Sequence, residues 1–302
     1  MKKILLFEDD DAAGFSPLDI RRDNVFKAVF TRDTPESSGA LSKLVSALIG
    51  RDVSIISILT NEPPIDSMGD RALKLDINCR AEGGEFINVE MCFHPKPSEP
   101  VRLEFYLAKL FSGQEIKGAG KGYKDLKRAY QIAILARERF FMDEEFYHNF
   151  EYYDPHNRVS LNGRSRIITL ELSKLKKIVE KPAGEMNKSE KWAVYFQYLT
   201  DRSKRSIINE IVELEEGIAM ASSVLIKVSR DEEERARIMR EEKTELDRIS
   251  FIDNAIEDAR AEGYTEGHVK GNAKGRAEER EYFLSLLNQG LTIDEIKQRL
   301  KQ

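Results

Sequence analysis

An α/β core with a mixed β-sheet flanked by helices, followed by an α-helical C-terminal extension, is expected for this chain of 302 residues. Three observations carry that expectation. Runs with strand periodicity alternate with helical runs between residues 18 and 172. Around Lys181-Pro182-Ala183-Gly184 the pattern turns helical, opening on a capping box of Asn187 with Glu190. Beyond residue 230 the chain becomes a charged stretch in which Gly263, Gly267, Gly271 and Gly275 recur every fourth position.

The elements follow in order. Residues 1–15 read as a loose arm, whose short apolar run stops at Glu8-Asp9-Asp10-Asp11 and so does not make a signal peptide. Ser16-Pro17 reads as a helix start, with Leu18, Val25, Phe26, Val29 and Phe30 at near-helical spacing. A second helix is expected over 38–49, stopped by Gly50, and a β-branched strand over 53–59. Two alternating runs flank Glu82-Gly83-Gly84, a hairpin signal. A helix over 101–114, a Gly/Lys-rich loop, and strands over 131–135, 146–153 and 166–172 complete the core. Helices follow over 187–199 and 207–228, with Ser229 and Glu232 capping a long charged helix. The glycine repeat is either part of that helix or a linker, because each interior glycine costs about 1 kcal/mol against alanine. Thr292 with Glu295 caps a last short helix. The expected organisation is an arm (1–15), a core domain (16–180), a helical subdomain (181–229), a charged glycine-repeat tail (230–280) and a short C-terminal helix (281–302).

Composition narrows the partners. The charge balance is 48 Lys+Arg against 53 Asp+Glu, which at face value argues against a nucleic-acid partner. The distribution reverses that reading: residues 102–139 and 164–181 are net basic, and the acidic excess sits in 231–262. Two cysteines suit a reducing cytoplasm rather than a disulfide scaffold, and no apolar run is long enough for a membrane span. The four histidines and two cysteines have no zinc-like spacing, and no phosphate-binding glycine loop is present.

The hairpin carries the chemistry. Apolar residues hold odd positions from Leu73 to Cys79 and from Ile87 to Met91, with polar residues at the even ones. A three-residue loop over 82–84 pairs residues whose numbers sum to 166, setting Asp76 across from Glu90, Asn78 across from Asn88 and Lys74 across from Cys92. Two carboxylates at that separation need a shared proton, a bridging cation or a hard divalent metal such as Mg²⁺. The plain alternative is a polar strand face whose acids are simply hydrated.

These residues resemble a family. Asp76, a Gly-Gly hairpin and Glu90 within Ile-Asn-Val-Glu-Met are similar to the core of the PD-(D/E)XK nuclease superfamily, in its recombination-promoting nuclease/putative transposase branch. Asp23-Asn24-Val25-Phe26-Lys27-Ala28-Val29-Phe30 resembles that branch's N-terminal signature, and Arg102, Tyr106, Gln114, Gly118 and Tyr123 resemble its pattern beyond the hairpin. The resemblance spans roughly residues 19–275. It implies a restriction-endonuclease-like core and Mg²⁺- or Mn²⁺-dependent cleavage of DNA, with Asp76 and Glu90 holding the metal. It also implies that Asp23, Cys92 and Gln114 lie beside the site. One position departs: the superfamily usually has Lys, and this branch often Gln, where Cys92 stands. Lys74, on the same face in this register, is the candidate replacement for charge stabilisation; the competing reading is a worn-out site that binds DNA without cutting it. Lys117, Lys121, Lys124, Lys127 and Arg128 are candidate phosphate contacts. Cutting both strands would favour a homo-oligomer, a dimer in the simplest case.

Overall fold

A computed structural model describes residues 16–59, 76–114, 122–161 and 163–290, together with 292, 293 and 295. Its contacts divide the chain into two compact units, Met1–Met239 and Arg240–Gln302.

In the first unit, helices α1 (Asp23–Phe30) and α2 (Pro35–Ile49) precede strands β1 (Ile55–Ile58), β2 (Ile77–Ala81) and β3 (Phe86–Cys92). Helix α3 (Glu99–Ser112) then leads to β4 (Ala129–Leu135), β5 (Tyr147–Phe150), the short pair β6 (Tyr153–Asp154) and β7 (Val159–Ser160), and β8 (Ser165–Glu171). Helices α4 (Lys188–Tyr198), α5 (Arg205–Leu214) and α6 (Glu216–Arg230) follow. Six strands form one mixed sheet in the order β1-β2-β3-β4-β8-β5. β3, β4 and β8 run parallel at its centre, and the outer strands pair antiparallel. The sheet with flanking helices is the α/β architecture expected from the pattern.

The helix starts differ from expectation at two places. α1 begins at Asp23 rather than at Ser16-Pro17, because the Asp19 carboxylate accepts the Arg21 backbone N–H at 3.0 Å and Arg22 N–H bonds back to Asp19 O. That local turn occupies the backbone groups a helix would need. α2 begins earlier than expected, at Pro35, with the Thr34 hydroxyl accepting from Ser37 N–H and Gly50 closing the helix at φ +80°. The capping box of Asn187 and Glu190 forms as read.

The two faces of the sheet differ in chemistry. Odd positions of β2 and β3 and even positions of β4 and β8 pack Ile77, Ile87, Val89, Ile132 and Ile168 into the main core with α1, α2, α4, α5 and α6. Phe26, Phe30, Trp192 and Phe196 form an aromatic knot there, with ring centroids 4.8–6.4 Å apart. α4 to α6 thus share one core with α1 and α2. The opposite face meets α3, where Leu103 packs on Cys92, Ala133 and Leu135.

Helix α7 (Glu232–Asn288) runs on from α6 and makes up most of the second unit. Its first turn is capped by Asp231, whose carboxylate accepts Glu234 N–H at 2.9 Å. Ser229, the expected cap, instead accepts the Leu18 N–H, so the break falls two residues later. Gly263, Gly267, Gly271 and Gly275 lie inside the helix, facing open space. The repeat is therefore helical rather than a linker.

Candidate active site

The hairpin adopts the register read from its parity. Ile77 pairs Val89, Asn78 pairs Asn88, Cys79 pairs Ile87 and Arg80 pairs Phe86. Ala81 N–H bonds Glu85 O at 3.0 Å across the 82–84 loop, and Gly84 takes the left-handed φ of +85° that closes such a loop. Extended by one residue, the register sets Asp76 opposite Glu90 on the face beneath α3. The Met91 N–H donates to Asp76 Oδ2 at 3.2 Å, which fixes that carboxylate beside β3.

Each acid has its own cation. Lys27, projected from α1, stands 3.0 Å from Asp76 Oδ1 and 3.0 Å from Asp23 Oδ2. Asp23 therefore reaches the site through Lys27. Arg102, from the first turns of α3, lies 3.2 Å from Glu90 Oε2, donates through Nε to Glu99 Oε1 at 2.8 Å, and through Nη2 to the Cys92 Sγ at 3.4 Å. Glu90, Cys92 and Glu99 thus form a buried cluster with ligand atoms all within 4.8 Å of one another. Tyr106 stacks against the Arg102 guanidinium.

A buried polar layer extends across the sheet. Asn88 donates to Glu90 Oε1 and to Gln131 Oε1, each at 3.0 Å, and Asn88, Glu90 and Gln131 are at most 1% exposed. Asn88 Oδ1 and Gln131 Nε2 are buried without a hydrogen-bond partner, and Glu90 Oε2 has only its ion pair with Arg102. Such orphans cost about 1–3 kcal/mol each, a cost that a ligand at the site can relieve.

The electrostatics follow from burial. Desolvation pushes Glu90 up to about 7, against the opposing pull of Arg102 and with a further push from Asp76. Asp76 is pushed up to about 6, first by burial and then by Asp23, with Lys27 opposing. Burial, and then the charge of Glu90, raises the Cys92 thiol far above its ordinary range. Lys27 is raised despite burial, because Asp76 and Asp23 hold its charge. Two neighbouring acids that stay above the ordinary carboxylate range even beside Lys27 and Arg102 gain from further positive charge and are suited to a hard cation. Their oxygens fit one; the protonated thiol of Cys92 does not.

The remaining expected residues lie elsewhere. Lys74, Lys117 and Lys121 fall outside the described residues. Gln114, at the C-terminal end of α3, clasps the Lys127 backbone through both its amide atoms, at 2.7 and 2.9 Å. That is the opposite end of α3 from Glu99 and Arg102. Lys124 sits in the exposed turn Tyr123–Asp125, and Lys127 and Arg128 line a polar recess with Arg51 and Arg164. Lys27, Glu99, Asn88 and Gln131 were not singled out as site residues from sequence. Lys27 had two signals, its place in the Asp23–Phe30 stretch that resembles the family's N-terminal signature and its four-residue spacing from Asp23, and the spacing fits an ordinary surface pair equally well.

A mixed six-stranded sheet with flanking helices, which brings Asp76 and Glu90 together beside a lysine and an arginine from two helices, is an α/β fold of nuclease-like type. A family model described as PD-(D/E)XK nuclease family transposase matches residues 20–255, and the chain belongs to that family. No curated protein and no solved structure matches the chain. Among the described residues no helix is long and apolar enough to cross a membrane.

Proposed function

We propose that this protein is a metal-dependent DNA endonuclease, acting in recombination or transposition, with Asp76 and Glu90 as the metal-holding residues. The observation that carries the reading is the pairing of buried Glu90 on β3 with half-buried Asp76 immediately before β2, both raised above the ordinary carboxylate range chiefly by burial, beside buried polar atoms of Asn88 and Gln131 that lack a partner. A divalent ion of the Mg²⁺ or Mn²⁺ type, when bound, makes a nucleophile of water at neutral pH and offsets the charge of a phosphodiester transition state. The chain's own residues prepare the rest. Met91 N–H and Lys27 orient Asp76, and Asn88 and Arg102 orient Glu90. Lys27 keeps its proton, so it serves as a fixed positive charge rather than as a base. It is the described amine beside Asp76, in the role expected of Lys74.

Plasmid nicking with Mg²⁺ or Mn²⁺ tests the proposal. Native protein is expected to cut, and Asp76→Ala and Glu90→Ala to fail while melting as folded proteins. Cleavage by both variants would sink the assignment. A second reading, a nuclease-fold module that binds DNA without cutting, is favoured by the thiol of Cys92 where the family has Lys or Gln. Equilibrium DNA binding without nicking at any metal concentration would establish that one instead.

A further inference from the structure

The three parallel strands begin in register: Phe86 pairs Ala129, and Ala129 pairs Ser165. The residues immediately before them, Glu85, Arg128 and Arg164, therefore line up along one rim of the sheet at about 4.8 Å per strand. Between them opens a recess of about 400 Å³, lined also by Arg51, Gly83, Leu126 and Lys127. Four cations face a single acid there. Arg51 is bound to Glu85 at 2.6 Å, and Arg164 bonds the Leu126 carbonyl. Lys127 and Arg128 have no carboxylate partner among the described residues. The recess is held in shape: Gln114 clasps the Lys127 backbone, the Lys127 stem lies over Gly84, and the Arg128 and Arg164 carbonyls bond the first residues of β3 and β4.

We propose that this recess binds one backbone phosphate of the DNA substrate, away from the phosphodiester that is cut. A concave site with surplus, pre-positioned arginine and lysine suits a phosphate oxyanion, which accepts several charge-assisted hydrogen bonds at once. Glu90 lies four residues along β3 from Phe86, roughly 13 Å at 3.3 Å per residue. That separation corresponds to about four base steps of duplex at 3.4 Å per step. The recess thus anchors the flank of the duplex and sets where along it the acids fall. The identity of the phosphate's carrier rests on the DNA reading above; the anion site does not.

The test uses the full-length chain without metal, so that nothing is cut. A fluorescein-labelled DNA duplex is titrated over a salt series, and melting is followed with and without inorganic phosphate. Combined Lys127→Gln, Arg128→Gln and Arg164→Gln substitution is expected to weaken DNA binding about tenfold and to flatten the log–log salt slope by about one unit, the release expected for one phosphate. Phosphate is expected to raise the melting temperature of the native chain and not of this variant, whose melting without phosphate shows that it folds. Lys188→Gln, an exposed lysine elsewhere, should leave the salt slope unchanged. A native slope in the triple variant overturns the proposal, and does so even if its phosphate response is lost, since the recess would then serve free phosphate. Failure of the native chain to bind DNA contradicts the DNA reading itself, a different result from binding with an unaltered slope.

Discussion

The two faces of β3 are built from one strand and do opposite work. Ile87, Val89 and Met91 are buried in the apolar core that α1, α2 and α4 to α6 share. Asn88, Glu90 and Cys92 are just as buried, yet they carry a carboxylate, a thiol and unbonded polar atoms. The odd face stabilises the fold; the even face carries polar groups that cost stability, which the proposed function assigns to holding a cation. Neighbouring residues on a strand can serve such different ends because successive side chains point to opposite faces.

The largest separation of the two faces comes from substitution on each. Asp76→Ala or Glu90→Ala is expected to lower nicking by at least about 10³-fold, because it removes a charge-stabilising group from the reacting centre, with no loss of melting temperature. Val89→Ala on the other face is expected to cost about 1–3 kcal/mol in denaturant unfolding while leaving cleavage per folded molecule unchanged. Stability lost through Glu90→Ala, or cleavage lost through Val89→Ala in folded protein, would erase the distinction.

A smaller effect is expected at Lys27, which on the proposed function orients the metal-holding Asp76 rather than holding the metal itself. Lys27→Met should reduce nicking or metal affinity by about 10–100-fold, the usual range for a partner of a metal ligand. Isothermal titration with Mn²⁺ reads this directly, and native affinity in Lys27→Met would remove the residue from the site.

The pH dependence follows from the raised acids. Glu90 moves from 4.5 to about 7 and Asp76 from 3.8 to about 6 in the folded chain, chiefly through burial. The folded state thus binds these protons more tightly than the unfolded state. The stabilisation is complete below the ordinary carboxylate range and is lost as pH rises through about 6 to 7. For Glu90 it is on the order of 3 kcal/mol, by the rule of 1.36 kcal/mol per unit. Metal-free protein should therefore melt at a lower temperature at about pH 8 than at about pH 5, and Glu90→Gln should flatten that slope and melt above native at the higher pH. A divalent ion should restore the native chain's stability at high pH and do less for Glu90→Gln. Identical pH profiles for the two proteins would show that the even face carries no such strain.

The smallest expected effect is remote from both faces. Gly267→Ala, in a helical position with open space around it, should stabilise α7 by about 1 kcal/mol and leave nicking unaltered.

The hairpin was legible in the sequence because both of its determinants are local. Parity fixed which residues share a face, and the Gly83-Gly84 loop fixed the register that joins Asn78 to Asn88. The partners of the acids were not legible in that way. Lys27 and Arg102 come from helices that flank the sheet, and which residue of a helix face meets a strand depends on packing between distant segments. Glu99 stands at the first turn of α3, where an acid is equally explained by the helix dipole. The shifted helix starts have a similar origin: the carboxylates of Asp19 and Asp231 and the long-range bond from Leu18 to Ser229 decided them.

The even face as a metal site is tested most directly by a crystal of the full-length protein soaked in Mn²⁺ and measured at the manganese absorption edge. An anomalous peak touching oxygens of both Asp76 and Glu90 is the expected result. A peak held instead by Glu90, Cys92 and Glu99, or no peak on this face of the sheet, would contradict it.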